Sequence, residues 1–373
     1  MQHYITPYKS VLYRAKTAMD ILRPALININ GRIYRRNAVK EEHYEDEEEE
    51  EAYSYSGPVS DQCVDEPCDA INIEQTDKGF RCAIDIPSVL YKYIIGKKGE
   101  TRRRLEAETK TTINIPKQGV EGQIVIAGSQ KAAVASAVTR VEVLIESFRR
   151  KQPFTHFLSF ALNHPQVQEG FKRFREEVLD QCSQDMGVDV SIFQNQAKLH
   201  LTIGTLALLN EQEVMRASEL LTQCQGFIRD ITEGKPLALE VKGIEYMNDD
   251  PSMVDVLYAK VCLQDGSDKL QQIADRLVEC FVAEGLMVKE WDRVKLHATI
   301  MNTLFRNDPS AEVKGGAGKP SAKDREAFDA RNILERFKEF YFGKCQLDSV
   351  QLSQRYSSDS TGYYSSAGKV HFI

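Results

Sequence analysis

A chain of 373 residues, 42% of them apolar, holds enough hydrophobic material for two cores, which excludes a wholly disordered protein and a small disulfide-stapled one. The net charge of −7 disfavours nucleic acid only until it is located: Glu41, Glu42, Glu45, Asp46 and Glu47 to Glu51 supply it, and without that run the chain carries about +2. No apolar stretch is long enough to span a bilayer, and the opening residues lack the apolar core of a secretory signal. The scattered Cys63, Cys68, Cys82, Cys182, Cys224, Cys262, Cys280 and Cys345 therefore read as reduced thiols inside the cell.

Residues 1–77 are expected to form a largely disordered or partner-ordered arm. Before the acidic run, Lys9, Arg14, Lys16, Arg23, Arg32, Arg35, Arg36 and Lys40 stand against the single acid Asp20. That balance suits a mitochondrial transit peptide. However, Met19-Asp20-Ile21-Leu22-Arg23-Pro24 reads as an alternative start and acids follow directly, so an arm that docks a partner is preferred.

Gly79-Phe80-Arg81-Cys82-Ala83-Ile84-Asp85-Ile86 alternates as a strand and is stopped by Pro87, which opens a folded domain near residue 78. Helices are predicted over 88–95 and 100–109, strands over 112–115 and 123–127 with glycine-containing turns between them, and a long helix over 129–149. Between the first two helices stands Ile95-Gly96-Lys97-Lys98-Gly99, where glycines allow a nucleic-acid backbone to approach closely. From Lys92 to Lys110 seven bases face three acids, a local excess able to neutralise phosphates.

This β-α-α-β-β-α order with its loop resembles a type I KH domain over residues 78–150. The resemblance implies binding of single-stranded RNA by Ile95, Gly96, Lys97, Lys98 and Gly99, with Arg102, Arg103 and Arg104 behind them. Single-stranded DNA offers the same backbone, and the residues do not choose between the two. The chain departs from the KH pattern at Arg102, where an apolar residue is usual. A plainer reading is a self-neutralised helix, through the pairs Glu100–Arg104, Arg102–Glu106, Arg104–Glu108 and Glu106–Lys110; Lys97 and Lys98 lie outside them.

Only Arg150-Lys151-Gln152-Pro153 precedes the next strand, too short and too poor in glycine for a flexible linker, so a fixed domain orientation is expected. Over residues 153–373, strands are predicted at 154–162, 199–207, 237–246, 254–263, 295–304, 346–354 and 368–373. Helices are predicted at 165–183, 210–231, 267–284 and 325–340. This is an α+β or α/β pattern with two similar halves. Arg306 to Asp324 reads as a lid or a disordered loop.

Each half carries one copy of a motif: Lys198-Leu199-His200-Leu201-Thr202-Ile203 returns as Lys295-Leu296-His297-Ala298-Thr299-Ile300. In a strand, His200 and Thr202 point to one face and their apolar neighbours to the other, and the second copy behaves alike. Two imidazoles can remove and deliver protons at one pH, and two hydroxyls can hold phosphoryl oxygens, without a metal or other cofactor. No Cys/His or Asp/Glu cluster has metal-ligand spacing.

The duplicated His-x-Thr resembles the two-histidine phosphoesterases, which implies a bilobal LigT-like domain over residues 153–373 with His200, Thr202, His297 and Thr299 as the site. Members of that group act on 2′,3′-cyclic phosphates, 2′,5′ linkages or RNA 3′ ends. Duplicated packing is the bland alternative.

The overall class is thus α+β, a KH-like module followed by the phosphoesterase-like domain. That combination, with the stretch Met19 to Arg36, resembles a family of subunits of a nuclear coactivator assembly. It implies nuclear localisation, a helicase and other subunits as partners, roles in transcription and alkylation-damage repair, and no membrane. Two functions stay open, a metal-independent RNA phosphodiesterase and a non-catalytic adaptor that senses RNA ends or nucleotides. Among weaker candidates, Gly315 to Ser321 breaks the phosphate-loop spacing, His156 and His164 read as structural, and Trp291 reads as core or cleft wall. Tyr246, Tyr258 and Tyr356 are aromatic candidates for base stacking.

Overall fold

The computed structural model describes residues 25–29, 32–36, 71–117, 119–247, 249–289, 292–307 and 325–373. The chain divides into two compact units, Met1–Asn72 and Ile73–Ile373. In the first, β1 (Ala25–Ile29) and β2 (Arg32–Arg36) pair as an antiparallel hairpin. The acidic run, Met19, Cys63, Cys68, Trp291 and the lid-like residues 308–324, with Gly315 to Ser321 among them, lie outside the described residues.

The second unit opens with β3 (Glu74–Thr76) and β4 (Gly79–Asp85), a 3₁₀ turn at Ser88–Leu90, α1 (Tyr91–Ile95) and α2 (Glu100–Thr109). It continues through β5 (Thr111–Asn114), β6 (Gln123–Gly128) and α3 (Lys131–Arg149). The sheet is antiparallel in the order β3-β4-β6-β5. Val134, Ala137, Val138, Val141 and Ile145 recur at helical spacing on α3 and are buried against the sheet that carries Ile124 and Ile126. Strand β3 escaped the sequence reading because Glu74, Gln75 and Thr76 are all exposed and show no apolar alternation.

The remainder runs β7 (His156–Ala161), α4 (Pro165–Cys182), β8 (His200–Leu206), α5 (Glu211–Gln223), α6 (Gln225–Thr232), β9 (Leu237–Tyr246) and β10 (Val256–Leu263). After these come α7 (Lys269–Ala283), β11 (Ala298–Asn302), α8 (Leu304–Asn307), α9 (Arg331–Phe337), β12 (Tyr341–Leu347), β13 (Ser349–Gln354) and β14 (Ser366–His371). Eight strands form one antiparallel sheet in the order β12-β9-β10-β11-β8-β7-β13-β14, so the two motif strands meet in the middle with three strands beyond each, and the C-terminal β13 and β14 cross over to the side of the first motif. At that seam the described register is one pair, Ala298 opposite Leu201. Beyond it the strands part, and Gln194 donates its N–H to the Ile300 carbonyl at 2.9 Å, so the exposed edge of β11 is satisfied.

Leu199, Leu201, Ile203, Ala298 and Ile300 are all buried in the main core. Helix α4 packs on β12, α5 on β14 and α7 on β8.

Four expectations need correction. The strand expected over 346–354 is two strands that separate at Asp348 and run to different parts of the sheet, β12 beside β9 and β13 between β7 and β14. The helix expected over 325–340 is confined to Arg331–Phe337, and that over 210–231 breaks at Cys224. The second motif strand begins at Ala298, leaving His297 just ahead of it. No helix among the described residues is long and apolar enough to cross a membrane, and the six cysteines described are free thiols.

The KH-like part and the larger sheet belong to the same compact unit. Arg149, at the end of α3, makes a two-pronged ion pair with Glu213 at 2.6 and 3.1 Å and also donates to the Ala207 carbonyl. Glu213 in turn accepts from the Leu209 N–H at the start of α5, so the helix entry is itself part of the contact. From the β5–β6 connection, Glu121 is hydrogen-bonded by Ser88 and by the Asn210 side chain, which holds its carboxyl below the usual range. Tyr93 of α1 stacks on Phe148 of α3 with centroids 4.0 Å apart, and Gln152 donates to the Tyr93 hydroxyl.

Candidate functional site

Strand alternation dictates which side chains leave the core beside the seam. One step from the Leu201–Ala298 pair stand Thr202 and His297, and one step the other way His200 and Thr299. All four are half-buried on the face opposite their apolar neighbours. Each imidazole is fixed the same way. His200 Nδ1 lies 2.7 Å from the Lys198 carbonyl and His297 Nδ1 lies 2.6 Å from the Lys295 carbonyl, so the carbonyl selects the Nδ1–H tautomer and Nε2 holds the lone pair in both neutral rings.

The two rings feel each other. Burial first, and then the neighbouring charges of His297 and Lys198, outweigh the opposing bond to the Lys198 carbonyl and together bring His200 down to about 4. His297 is also lowered, first by burial, against its bond to the Lys295 carbonyl. Without an anion both imidazoles are therefore neutral at neutral pH. A bound phosphate reverses this, because negative charge beside Nε2 favours the imidazolium.

The walls were not visible as a motif. His200 is flanked by Phe157 at 5.1 Å and Tyr364 at 5.4 Å, and His297 by Tyr258 at 5.5 Å between ring centroids. Tyr258 sits opposite Thr299 on β10 and donates to Glu245 at 2.9 Å, which places it beside the second histidine. Lys198 is 2% exposed, with its Nζ 4.9 Å from the Tyr364 ring centroid. Opposite Thr202 stands Ser159, joined to the Ser353 and Tyr363 hydroxyls, while Gln351 donates to Ser353; all are buried. Such a satisfied polar cluster fixes the Thr202 side of the site. Only pairing of β7 with β13 brings Ser159 and Ser353 together, so spacing along the chain carries no signal of it.

Among the described residues no three His, Cys, Asp or Glu side chains converge to hold a metal ion. His156 is buried, lowered by that burial, and bonded to the Thr155 hydroxyl at 2.9 Å, which is a structural setting. His164 caps the start of α4 through its carbonyl bond to the Gln168 N–H.

The Gly96–Gly99 loop turns between α1 and α2. Gly96 has φ +68, Gly99 φ +78 and Lys98 φ +51, and a Cβ on Gly96 would collide with the Thr101 side chain, so glycine is required there. Lys97 and Lys98 are exposed, and Ile95 is half-buried next to buried Ile94. Arg103 folds back to donate to the Lys98 and Gly99 carbonyls at 2.9 and 3.3 Å, so it shapes the loop rather than projecting from it. Arg102 pairs with Glu106, whose carboxylate also takes the Ile113 N–H of β5, which accounts for a charged residue at this position. Glu108 pairs across with Arg140 on α3. The helix charges are thus partly engaged, while the two loop lysines extend outward.

A model for the AKAP7 2′5′ RNA ligase-like domain matches residues 154–372, and a KH domain model matches residues 81–143. The chain is 55% identical to activating signal cointegrator 1 complex subunit 1 of Mus musculus over 95% of its length and 100% of that protein. It is 26% identical to A-kinase anchor protein 7 isoform gamma of Homo sapiens, over 56% of this chain and 54% of that one. The crystal structure of E. coli LigT complexed with 3′-AMP superposes with a TM-score of 0.35 at 15% identity, covering 60% of this chain and 99% of that one.

Proposed function

Carrying a KH domain ahead of an AKAP7 2′5′ RNA ligase-like domain, this chain belongs to the family of activating signal cointegrator 1 complex subunit 1, and from that premise we propose that it is an RNA-binding protein with a metal-independent phosphodiesterase site. The observation that carries the reading is the pair of histidines on neighbouring strands, each tethered through Nδ1 to a carbonyl and each accompanied by a threonine on the same face.

The proposed substrate is an RNA end closed as a 2′,3′-cyclic phosphate. One neutral imidazole takes a proton from water through Nε2 as the water oxygen bonds to phosphorus. The other, protonated once the phosphate has raised its pKa, gives its proton to the departing ribose oxygen as the P–O bond breaks. Thr202 and Thr299 donate to the non-bridging oxygens, where charge accumulates. The KH loop, through Lys97 and Lys98, holds the upstream strand by its backbone. At the level of the cell, the relative's name supports membership of the activating signal cointegrator 1 complex. We further propose nuclear localisation, a helicase among the partners, and roles in transcription and alkylation repair.

The test uses purified protein and oligonucleotides ending in 2′,3′-cyclic phosphate, in EDTA. Turnover with a bell-shaped pH profile is expected, and His200→Ala or His297→Ala should each lower it by about 100-fold or more while the fold persists. Undiminished turnover in either variant removes the acid–base assignment. Tight binding of the same ends without turnover would make the protein an adaptor that senses them. Replacing Lys97 and Lys98 by Asp should sharply weaken RNA binding and leave the turnover of a short cyclic dinucleotide in place.

A further inference from the structure

Aromatic rings and cations alternate where the KH domain meets the larger sheet. Beside the stacked Tyr93 and Phe148 rings, the Lys92 ammonium lies 4.9 Å from the first centroid and the Lys151 ammonium 5.7 Å from the second. Both lysines are exposed, and neither forms an ion pair among the described residues. A few residues on, the Arg355 guanidinium is held between Phe154, at 4.0 Å, and Tyr356, at 4.3 Å. Two hydrogen bonds fix the second cluster, since Arg355 N–H donates to the Thr155 carbonyl and the Arg355 side chain to that of Phe154, three residues along the chain from Lys151. Tyr356 is one of four non-glycine residues with positive φ among the described residues, at +60, a conformation that a bulky side chain adopts only when its surroundings impose it.

The position is as telling as the composition. Tyr93 lies three residues before Gly96, and the Lys92 carbonyl receives the Gly96 N–H at 2.8 Å. At the other end Phe154 meets Phe157, which meets His200. Ring faces that attract cations also accept bases, and a cation displaced from a ring is placed to meet the adjacent phosphate. A surface serving packing alone has no need of two solvent-facing lysines over its rings.

We propose that this junction is a second contact surface for single-stranded RNA, in which Phe148, Tyr356 and Phe154 offer ring faces to bases and Lys92, Lys151 and Arg355 take the intervening phosphates. It rests on the reading that the KH loop holds RNA, and it adds a bridge between that loop and the histidine pair.

The experiment measures affinity of the full chain for oligoribonucleotides of about four and about ten nucleotides, the shorter filling a KH loop alone. The longer should bind at least about tenfold tighter, as expected if even one extra base stacks. Lys151→Glu and Tyr356→Asn, the latter chosen because asparagine tolerates positive φ, should each reduce that gain without changing affinity for the short one. Lys151 is exposed, so its variant tests the idea even if Tyr356→Asn fails to fold. A short oligonucleotide that binds with no gain from length, or a gain that survives both variants, overturns the junction surface alone. Failure of wild type to bind either length overturns the KH reading and this proposal with it.

Discussion

His200 is held neutral by enclosure, and this ties the site to the stability of the protein. An unfolded histidine titrates near 6.5, whereas His200 in the folded chain titrates near 4. Between those values the unfolded state binds more protons, so stability falls as pH drops below about 6.5 and the loss is complete near 4. His200→Gln should therefore flatten the decline in stability between pH 7 and pH 4.5 by about 1 to 2 kcal/mol, read from urea denaturation at several pH values. An unchanged slope would mean that water reaches the ring freely. His200, Thr202, His297 and Thr299 were legible in the sequence because a repeated polar pair inside an apolar run is rare and alternation says which way it faces. Phe157 and Tyr364 were not, because their approach to His200 depends on a neighbouring strand and on the β13–β14 connection.

At the scale of elements, α4 sits on β12 more closely than side chains normally permit. Gly170 makes this possible, since a Cβ there would run into the Phe342 carbonyl. Gly170→Ala should lift the helix and destabilise the domain by roughly 2 to 4 kcal/mol, detected as a lowered denaturant midpoint, with the KH fold intact. No change would show that the helix can slide. Strand and helix types followed from periodicity in most places. The failure at Asp348 is instructive: Gln346 to Gln354 reads as one strand because neither Gly nor Pro interrupts it, yet β12 and β13 lie on opposite halves of the sheet. Local pattern reports a residue's preferred backbone, and destination is set by which sheet edge is open.

For the molecule as a whole, the Arg149–Glu213 bridge joins the two domains where the chain between them is shortest. Both side chains are substantially covered, at 26% and 18% exposed, so the pair is screened less than a surface bridge. Arg149→Ala should separate a single calorimetric transition into two and cost about 1 to 3 kcal/mol of coupling. A transition that stays single would place the coupling in the other cross-domain contact, that of Glu121 with Asn210. A fixed orientation was legible from the missing linker, whereas Arg149 and Glu213, 64 positions apart, had no sequence signature. The seam at Leu201 and Ala298 has its own corollary. Two motif strands abut there at a lone rung, so the spacing of the imidazoles is the spacing of the strands, and any ligand that wedges or draws the halves of the sheet together retunes both rings in one movement.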